Sequence, residues 1–350
     1  MNAGDRPKKG GDAQRLLAID PAHDTMFEST VGALPSLLAR GDVVVLNDAA
    51  TIPASLATHT ASGEAIELRL AGPPRHEVWP AVLFGPGDWR TDTDRRAAPV
   101  LVSPGDALVL EGGAHAIVVS RSRISPRLVE VRFDRELAEV WSLLYRIGRP
   151  IQYAYVPEPL AIADVQTSYA ARPWAVEMPS AGRPLTLATL IELRKHGIAV
   201  ATLTHAAGLS ATGDAEIDRH LPLPERYELP AATVAAIARA QAHGGRVIAI
   251  GTSVVRALEG NVQEYGRLVA GAGQTDLLLG PTVRPRVVDG VLSGVHEPGS
   301  THHALLGAFA PAELLARAHA RAVATDLHIH EFGDSTLVVP NLAAAAARAA

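Results

Sequence analysis

Residues 244–260 read GGRVIAIGTSVVRALEG. A glycine pair precedes a short, wholly apolar run, Arg246 to Ile250. A second small-residue turn, Gly251-Thr252-Ser253, follows it and leads into a helix. A continuous apolar run bounded by turn residues fits a strand buried on both faces. The stretch upstream, Ala231 to His243, is helical and stops at Gly244-Gly245. Working outward, the same alternation recurs. Leu185 to His196 is a helix that ends at Gly197, and Ile198 to Leu203 is a strand. Val43 to Leu46, after Gly41-Asp42, is another buried strand. Leu277 to Leu279 and Val287 to Val288 are short strand candidates, Ala304 to Phe309 and Ala312 to Ala324 are helical, and Thr336 to Val339 closes as a strand. Strands alternating with helices predict an α/β domain, a mixed or mostly parallel sheet with flanking helices.

Between Val43–Leu46 and the remainder the character changes. From about Ile52 to Phe133, short alternating or β-branched runs are broken by Gly, Pro and Asp. They are Ala65 to Leu70, Val78 to Leu83, Val100 to Val102, Ala107 to Leu110, Ala116 to Val119 and Leu128 to Phe133. This pattern predicts a small β-barrel domain inserted into the α/β domain. Glu136 to Tyr145 is then a helix. The expected division is a disordered leader over 1–12, an α/β domain over 13–50 and 134–340, the inserted barrel over 51–133, and an Ala-rich tail over 341–350. Residues His328 and His330 are expected to share one face of a strand.

Composition narrows the function. The chain has 350 residues, 47% of them hydrophobic, with a formal net charge of −5 and no cysteine. Disulfides, thiolate metal sites and cysteine nucleophiles are excluded. No apolar run is long enough to span a bilayer. With no export signal, the expectation is a cytoplasmic protein with no membrane partner. No dense Lys/Arg run marks a nucleic-acid footprint. Arg69, Arg90, Arg95, Arg96, Arg121, Arg123 and Arg127 can be gathered into a patch by folding, but read most simply as solvated charges.

Short segments along the chain carry a resemblance. They include Val45-Leu46-Asn47-Asp48 with Ile52-Pro53-Ala54, Gln166-Thr167-Ser168-Tyr169-Ala170, Pro179-Ser180-Ala181-Gly182, Gly244 to Thr252, Val255-Arg256-Ala257-Leu258-Glu259, Thr275-Asp276, Arg286-Val287-Val288-Asp289, His296 with Pro298, Ser300 and Thr301, and Gly333-Asp334. In this order and spacing the chain resembles the S-adenosylmethionine:tRNA ribosyltransferase-isomerases of queuosine biosynthesis. The resemblance implies an α/β domain with an inserted barrel. It implies S-adenosylmethionine as cosubstrate, whose ribosyl part passes to the aminomethyl group of a deazaguanine base in tRNA, with adenine and methionine released.

That chemistry needs a base, a proton donor for leaving adenine, partners for the ribose hydroxyls, and a cation or helix N-terminus for a carboxylate. Asn47 and Asp48 follow a buried strand, where open α/β sheets bind ligands; an Asx turn at Asp48 is the plain alternative. Gly251, Thr252 and Ser253 can offer backbone N–H groups to an anion, or be an ordinary helix start. Arg256, one turn on, can reach the same anion or pair with Glu259. Asp276 and Asp289 fit as buried partners for Arg256 or Arg286. Ser180, Ala181 and Gly182 complete the expected cosubstrate-binding set. His296, Glu297, His205 and Asp48 are the candidate catalytic residues. His296 is expected to be an imidazolium raised by neighbouring Glu297 and to serve as general acid. No metal site is expected; His302 and His303, adjacent on a helix, point apart.

Departures from the family pattern matter as much. Ala49-Ala50 stand where the family has Thr-Arg, and Arg183-Pro184-Leu185 where it has Leu-His-Phe. In Thr204-His205-Ala206-Ala207-Gly208 the histidine is displaced by one position. The Pro-rich segment ending Tyr-Ile becomes Pro150 to Val156, Gln274 replaces a Trp, and Gly294, Val295, Glu297 and Gly299 replace Asn, Phe, Leu and Lys. Glu177, Glu297, His302 and His303 are new polar groups. Losing Arg, Lys, Trp and Phe together weighs toward a small-molecule acceptor over tRNA. The alternatives are a genuine tRNA ribosyltransferase-isomerase and a non-catalytic RNA- or cofactor-binding relative.

Overall fold

A computed structural model describes residues 1–6 and 11–342. In chain order the strands are β1 (Arg15–Asp20), β2 (Thr25–Thr30), β3 (Val43–Asn47), β4 (Ala49–Thr51), β5 (Ser55–His59), β6 (Ala65–Leu70), β7 (Val78–Phe84), β8 (Ala107–Leu110), β9 (His115–Arg121), β10 (Leu128–Phe133), β11 (Arg172–Ala175), β12 (Ala199–His205), β13 (Glu225–Leu229), β14 (Val247–Ile250), β15 (Gly271–Thr275), β16 (Gly290–Gly294) and β17 (Ser335–Val338). A nine-stranded mixed sheet runs β15-β13-β12-β3-β14-β16-β17-β1-β2. Its centre is parallel: β12, β14 and β16 all run with β3. Strands β5 to β10 close into an antiparallel barrel, and β4 pairs with β11.

Every residue of β3 and β14 is buried, because helices cover both faces of the parallel centre. Alternate side chains feed two different cores. Val43, Val45, Val247 and Ala249 point into one. Val44, Leu46, Ile248 and Ile250 point into the other. In the barrel, β5, β8, β9 and β10 instead alternate in and out because only their inner face is dry, whereas β6 and the second half of β7 are buried at successive positions. Their core is built on Trp79, which meets Phe133 and Trp141 edge-on at 6.0 and 5.1 Å. Ser55 and Arg149 exchange two backbone hydrogen bonds at 2.9 Å and pin the barrel's first strand to the segment leaving it.

Several expectations are corrected. The N-terminal segment is not a free leader: Gly4 donates its N–H to Ile329 at 3.0 Å, and Ala3 bridges Ile329. Part of the expected tail lies outside the described residues. The hairpin β1–β2 and strand β13 went unread. Leu277–Leu279 and Val287–Val288 are not strands. The Leu277 N–H goes to Thr275 Oγ1, and those of Val287 and Val288 go to the buried Glu259 carboxylate at 2.9 Å. Val100–Val102 is loop. His328 and His330 do not share a strand: only Ile329 is bridged, and His330 has φ +68°.

The arginines are not all solvated. Arg69, Arg96 and Arg127 surround the Phe84 ring at 4.3, 5.4 and 4.9 Å. Glu67 is paired with Arg69 and Arg96. Among the described residues no helix is long and apolar enough to cross a membrane.

Candidate active site

The parallel strands β3, β12 and β14 end along one edge of the sheet, with the turns beyond β14 and β16 beside them. A cleft of about 250 Å³ opens there. Its floor is the turn Gly251-Thr252-Ser253. Gly251 has φ +94° and ψ 153°, a conformation essentially closed to residues with a Cβ, and it starts the helix Thr252–Tyr265. No side chain caps that N-terminus, so its free N–H groups and dipole face the cleft.

Arg256, one turn on, does not pair with Glu259. Its guanidinium binds Glu225 at 2.5 Å, and its Nε is buried without a hydrogen-bond partner. Glu225 comes from β13, where side chains alternate in burial. Its other oxygen accepts the Gly208 N–H at 2.7 Å. Burial raises its pKa above the ordinary glutamate value, against the opposing pull of Arg256. His205 lies behind this pair, fully buried, with Nε2 3.4 Å from Glu225. Burial, then Arg256, holds its pKa well below 6.5. It is a neutral ring behind the wall and not a cleft residue.

Asn47 does not face the cleft either. Its amide ties β3 to β12, accepting the His205 N–H at 2.8 Å and donating to the His205 carbonyl at 3.0 Å. It also accepts the Ala49 N–H at 3.1 Å, so the Asx-type bond falls to Asn47 and not to Asp48. Asp48 accepts from Thr204 Oγ1 at 2.6 Å. Ser180 and Ala181 line the cleft. Gly182 sits behind them where only a missing side chain fits: a Cβ would lie 1.9 Å from Tyr169 Oη.

His296 is in the wall, bonded to Ser293 Oγ at 2.7 Å and stacked on His302 at 4.9 Å. The expected imidazolium is corrected: its pKa lies well below 6.5, driven by burial and then by His302, His303 and His330. Glu297 is exposed at the rim and makes no contact that counters this. Asp289 serves the Val247 N–H at 2.8 Å, and Arg286 donates to the carbonyls of Val262 and Gly266, so neither is the other's partner. Among the described residues no three His, Asp or Glu side chains are grouped to hold a metal ion.

The opposite wall was not anticipated as a unit. Glu177 accepts hydrogen bonds from Tyr153 Oη and, at 3.0 Å, from the Ser210 N–H. Burial pushes its carboxyl up to about 7. Glu331 accepts from Tyr155 Oη, and the Tyr155 ring stacks on His330 at 4.2 Å. Glu225 and Glu331 carry no local motif. Their signal is the period-two alternation of Glu225–Leu229 and a position near the chain's end, neither of which points to a cleft.

A second groove, about 460 Å³, adjoins the first between barrel and sheet and shares Gly208, Leu209 and Glu225 with it. Arg75 and Gln274 meet across it at 2.7 Å. Arg226, also on it, lies 4.3 Å over the Trp174 ring, with Arg172 at 5.8 Å.

The sequence profile described as queuosine biosynthesis protein matches residues 2–338. The chain belongs to that family. It is 32% identical over 345 residues to the S-adenosylmethionine:tRNA ribosyltransferase-isomerase of Parvibaculum lavamentivorans, covering 95% of this chain and 94% of that one. It is 32% identical over 342 residues to the protein of the same name from Citrifermentans bemidjiense, with the same coverage. The crystal structure of S-adenosylmethionine tRNA ribosyltransferase from Thermotoga maritima matches 96% of each chain with a TM-score of 0.51 and 22% identity, which shows the shared fold. Membership of the queuosine biosynthesis family makes this an enzyme of the transferase-isomerase type.

Proposed function

We propose that this chain is an S-adenosylmethionine:tRNA ribosyltransferase-isomerase working in the cleft at the carboxyl edge of the sheet. The observation that carries the reading is the uncapped helix start at Gly251 beside Arg256, in a chain that aligns over 95% of its length with relatives of that name. The residues fit the cosubstrate. Free N–H groups at Thr252 and Ser253, with the unpartnered Arg256 Nε, suit a carboxylate. S-adenosylmethionine would supply the ribosyl group and the activating sulfonium. Neutral His296, with Ser293, can exchange a hydrogen bond with the departing base. Neither Asn47 nor Asp48 is needed to hold ligand: both are bonded to β12.

We place tRNA above a small molecule as acceptor. Of the four replaced positions, Val295 and Gly299 share the loop around His296, whereas Ala50 and Gln274 lie elsewhere. Val295 packs in a core, Gln274 bonds Arg75 on the second groove, Gly299 is an exposed turn, and Ala50 lies in β4. Trp174 with Arg172 and Arg226 offers a substitute base-stacking platform beside that groove. The test is to incubate the chain with S-adenosylmethionine and tRNA carrying an aminomethyl-deazaguanine and to measure free adenine. Release that depends on the modified tRNA is expected. Release that is absent, or indifferent to the tRNA, overturns the proposal.

A further inference from the structure

Glu177 and Glu331 are the unexplained groups of the cleft. Neither serves the carboxylate or the base that the opposite wall suits. Both line it, and each is held by a tyrosine hydroxyl from one segment, Tyr153 for Glu177 and Tyr155 for Glu331. The two phenol rings stack at 6.0 Å, and His330 extends the stack on the far side of Tyr155. Arg69 lies 5.9 Å over the Tyr153 ring from the barrel side. Across the cleft stand Arg256 and Glu225, already paired with each other.

Two carboxylates on one wall, each held among the described residues by one phenol and Glu177 also by the Ser210 N–H, form a site for a cation. The hydroxyls of Tyr153 and Tyr155 are already donating, so an incoming group must itself be a donor. A primary ammonium satisfies this with three N–H bonds. A metal ion is disfavoured, because no third ligand is grouped there among the described residues.

We propose that Glu177, Glu331 and Tyr153 form the subsite for the acceptor's amine, and that Glu177 takes the proton that converts its ammonium to a nucleophile. This rests on the ribosyl-transfer reading above. The step is a proton transfer and balances: the ammonium loses one proton to the Glu177 carboxylate, which becomes a neutral acid, and the nitrogen retains the electron pair of the broken N–H bond. Enclosure helps the transfer. A carboxyl lifted from 4.5 to about 7 is about 300-fold better matched to an amine than an ordinary one.

The surroundings give the proposal opposite-signed tests. Burial and the Glu331 charge push the Glu177 carboxyl up; the Tyr153 and Ser210 bonds pull it down. If Glu177 must be ionised, the acid limb of the pH–rate profile reports it. Glu331→Gln should move that limb to lower pH, and Tyr153→Phe to higher pH. Glu177→Gln should lower adenine release about 100-fold or more while S-adenosylmethionine binding, read by calorimetry, is unchanged. Carbon-13 NMR of the glutamate carboxyls in the ligand-free chain should show one resonance titrating near neutrality, lost in Glu177→Gln.

Running the assay with the aminomethyl-deazaguanine in tRNA and with the free base distinguishes a tRNA acceptor from a small one. A limb that stays put in both variants, or Glu177→Gln activity within about 3-fold of wild type, overturns the proposal. Should the wild type release no adenine with either acceptor, ribosyl transfer is the reading that fails. The NMR titration then decides the subsite separately: an ordinary carboxylate midpoint at Glu177 overturns it, and a neutral midpoint that aminomethyl-deazaguanine displaces upholds it as an amine site.

Discussion

Arg256→Ala removes the cation that, among the described residues, is bonded to Glu225, leaving a carboxylate that is 6% exposed with one backbone N–H, from Gly208, and a neutral histidine as neighbours. Breaking a buried ion pair from one side costs about 3–5 kcal/mol. The cost must depend on pH, and its sign follows from protonation. Burial already lifts Glu225 above its unfolded value of 4.5 in the intact chain, and Arg256 is what restrains the rise. Without Arg256 the folded carboxyl climbs further. Between the unfolded and folded values the unfolded chain holds fewer protons, so stability falls as pH rises through that window. The variant's deficit should therefore be larger in buffer at about pH 8 than at about pH 5.5, because the raised folded carboxyl is the first to take up a proton as pH falls. His205, held low by burial and Arg256, narrows the deficit on the acid side as well. It costs stability as pH falls below 6.5, in wild type and variant alike, and less in the variant because Arg256 is gone. Urea unfolding followed by far-UV dichroism at both pH values measures the difference. Glu225→Gln in the Arg256→Ala background should recover most of the loss at the higher pH, a coupling of roughly 2 kcal/mol or more. Equal deficits at both pH values together with strictly additive substitutions would refute the reasoning.

Gly251→Ala places a side chain at φ +94°, ψ 153° and should cost about 1–3 kcal/mol, with weaker S-adenosylmethionine binding in calorimetry as the helix start shifts. Glu259→Ala orphans the N–H groups of Arg286, Val287 and Val288 and should destabilise by about 3 kcal/mol or more, read from the urea midpoint, whereas Glu259→Gln should recover part of this. His296 should remain neutral from pH 8 down past 6.5 in ring-proton NMR, because its folded pKa is depressed. The unfolded chain then binds the extra proton first, stability is lost as pH falls below 6.5, and His296→Gln should flatten that loss.

The centre of the sheet was legible because β3 and β14 are buried on both faces and therefore read as unbroken apolar runs. The barrel was legible because strands such as β8, β9 and β10 are dry on one side and alternate. The hairpin β1–β2 was not, since its inner strand finds its parallel partner only at Ser335–Val338. The strand-to-helix turn at Gly251 to Ser253 was legible because the backbone does the work there. Side-chain contacts were not legible where the partner is distant. Glu259 has the spacing of an ion pair with Arg256, but folding turns it onto loop N–H groups. Glu297 adjoins His296 in sequence, yet it stands exposed while the His296 ring is enclosed, so burial decides the ring's state. Asn47 reads as ligand-facing until β12 arrives to take both ends of its amide.

The middle strand of the sheet also sets a schedule for assembly. Val43–Asn47 is made early, but its neighbours are Ala199–Leu203 and Val247–Ala249. At ribosomal speeds of about 5–20 residues per second, the later neighbour emerges some ~10–40 s after it. Both edges of this buried strand are unsatisfied until Leu203 emerges, and one edge until Ala249 does, the condition under which nascent chains pair with one another. The barrel, whose strands pair with one another within Ser55–Phe133 and, at Ser55, with Arg149, can close within that delay, and the early strand stays tethered to a finished unit while its partners are being translated. Nascent chains should therefore engage holdase chaperones between synthesis of the barrel and of Ile250, and be released once β14 has left the ribosome.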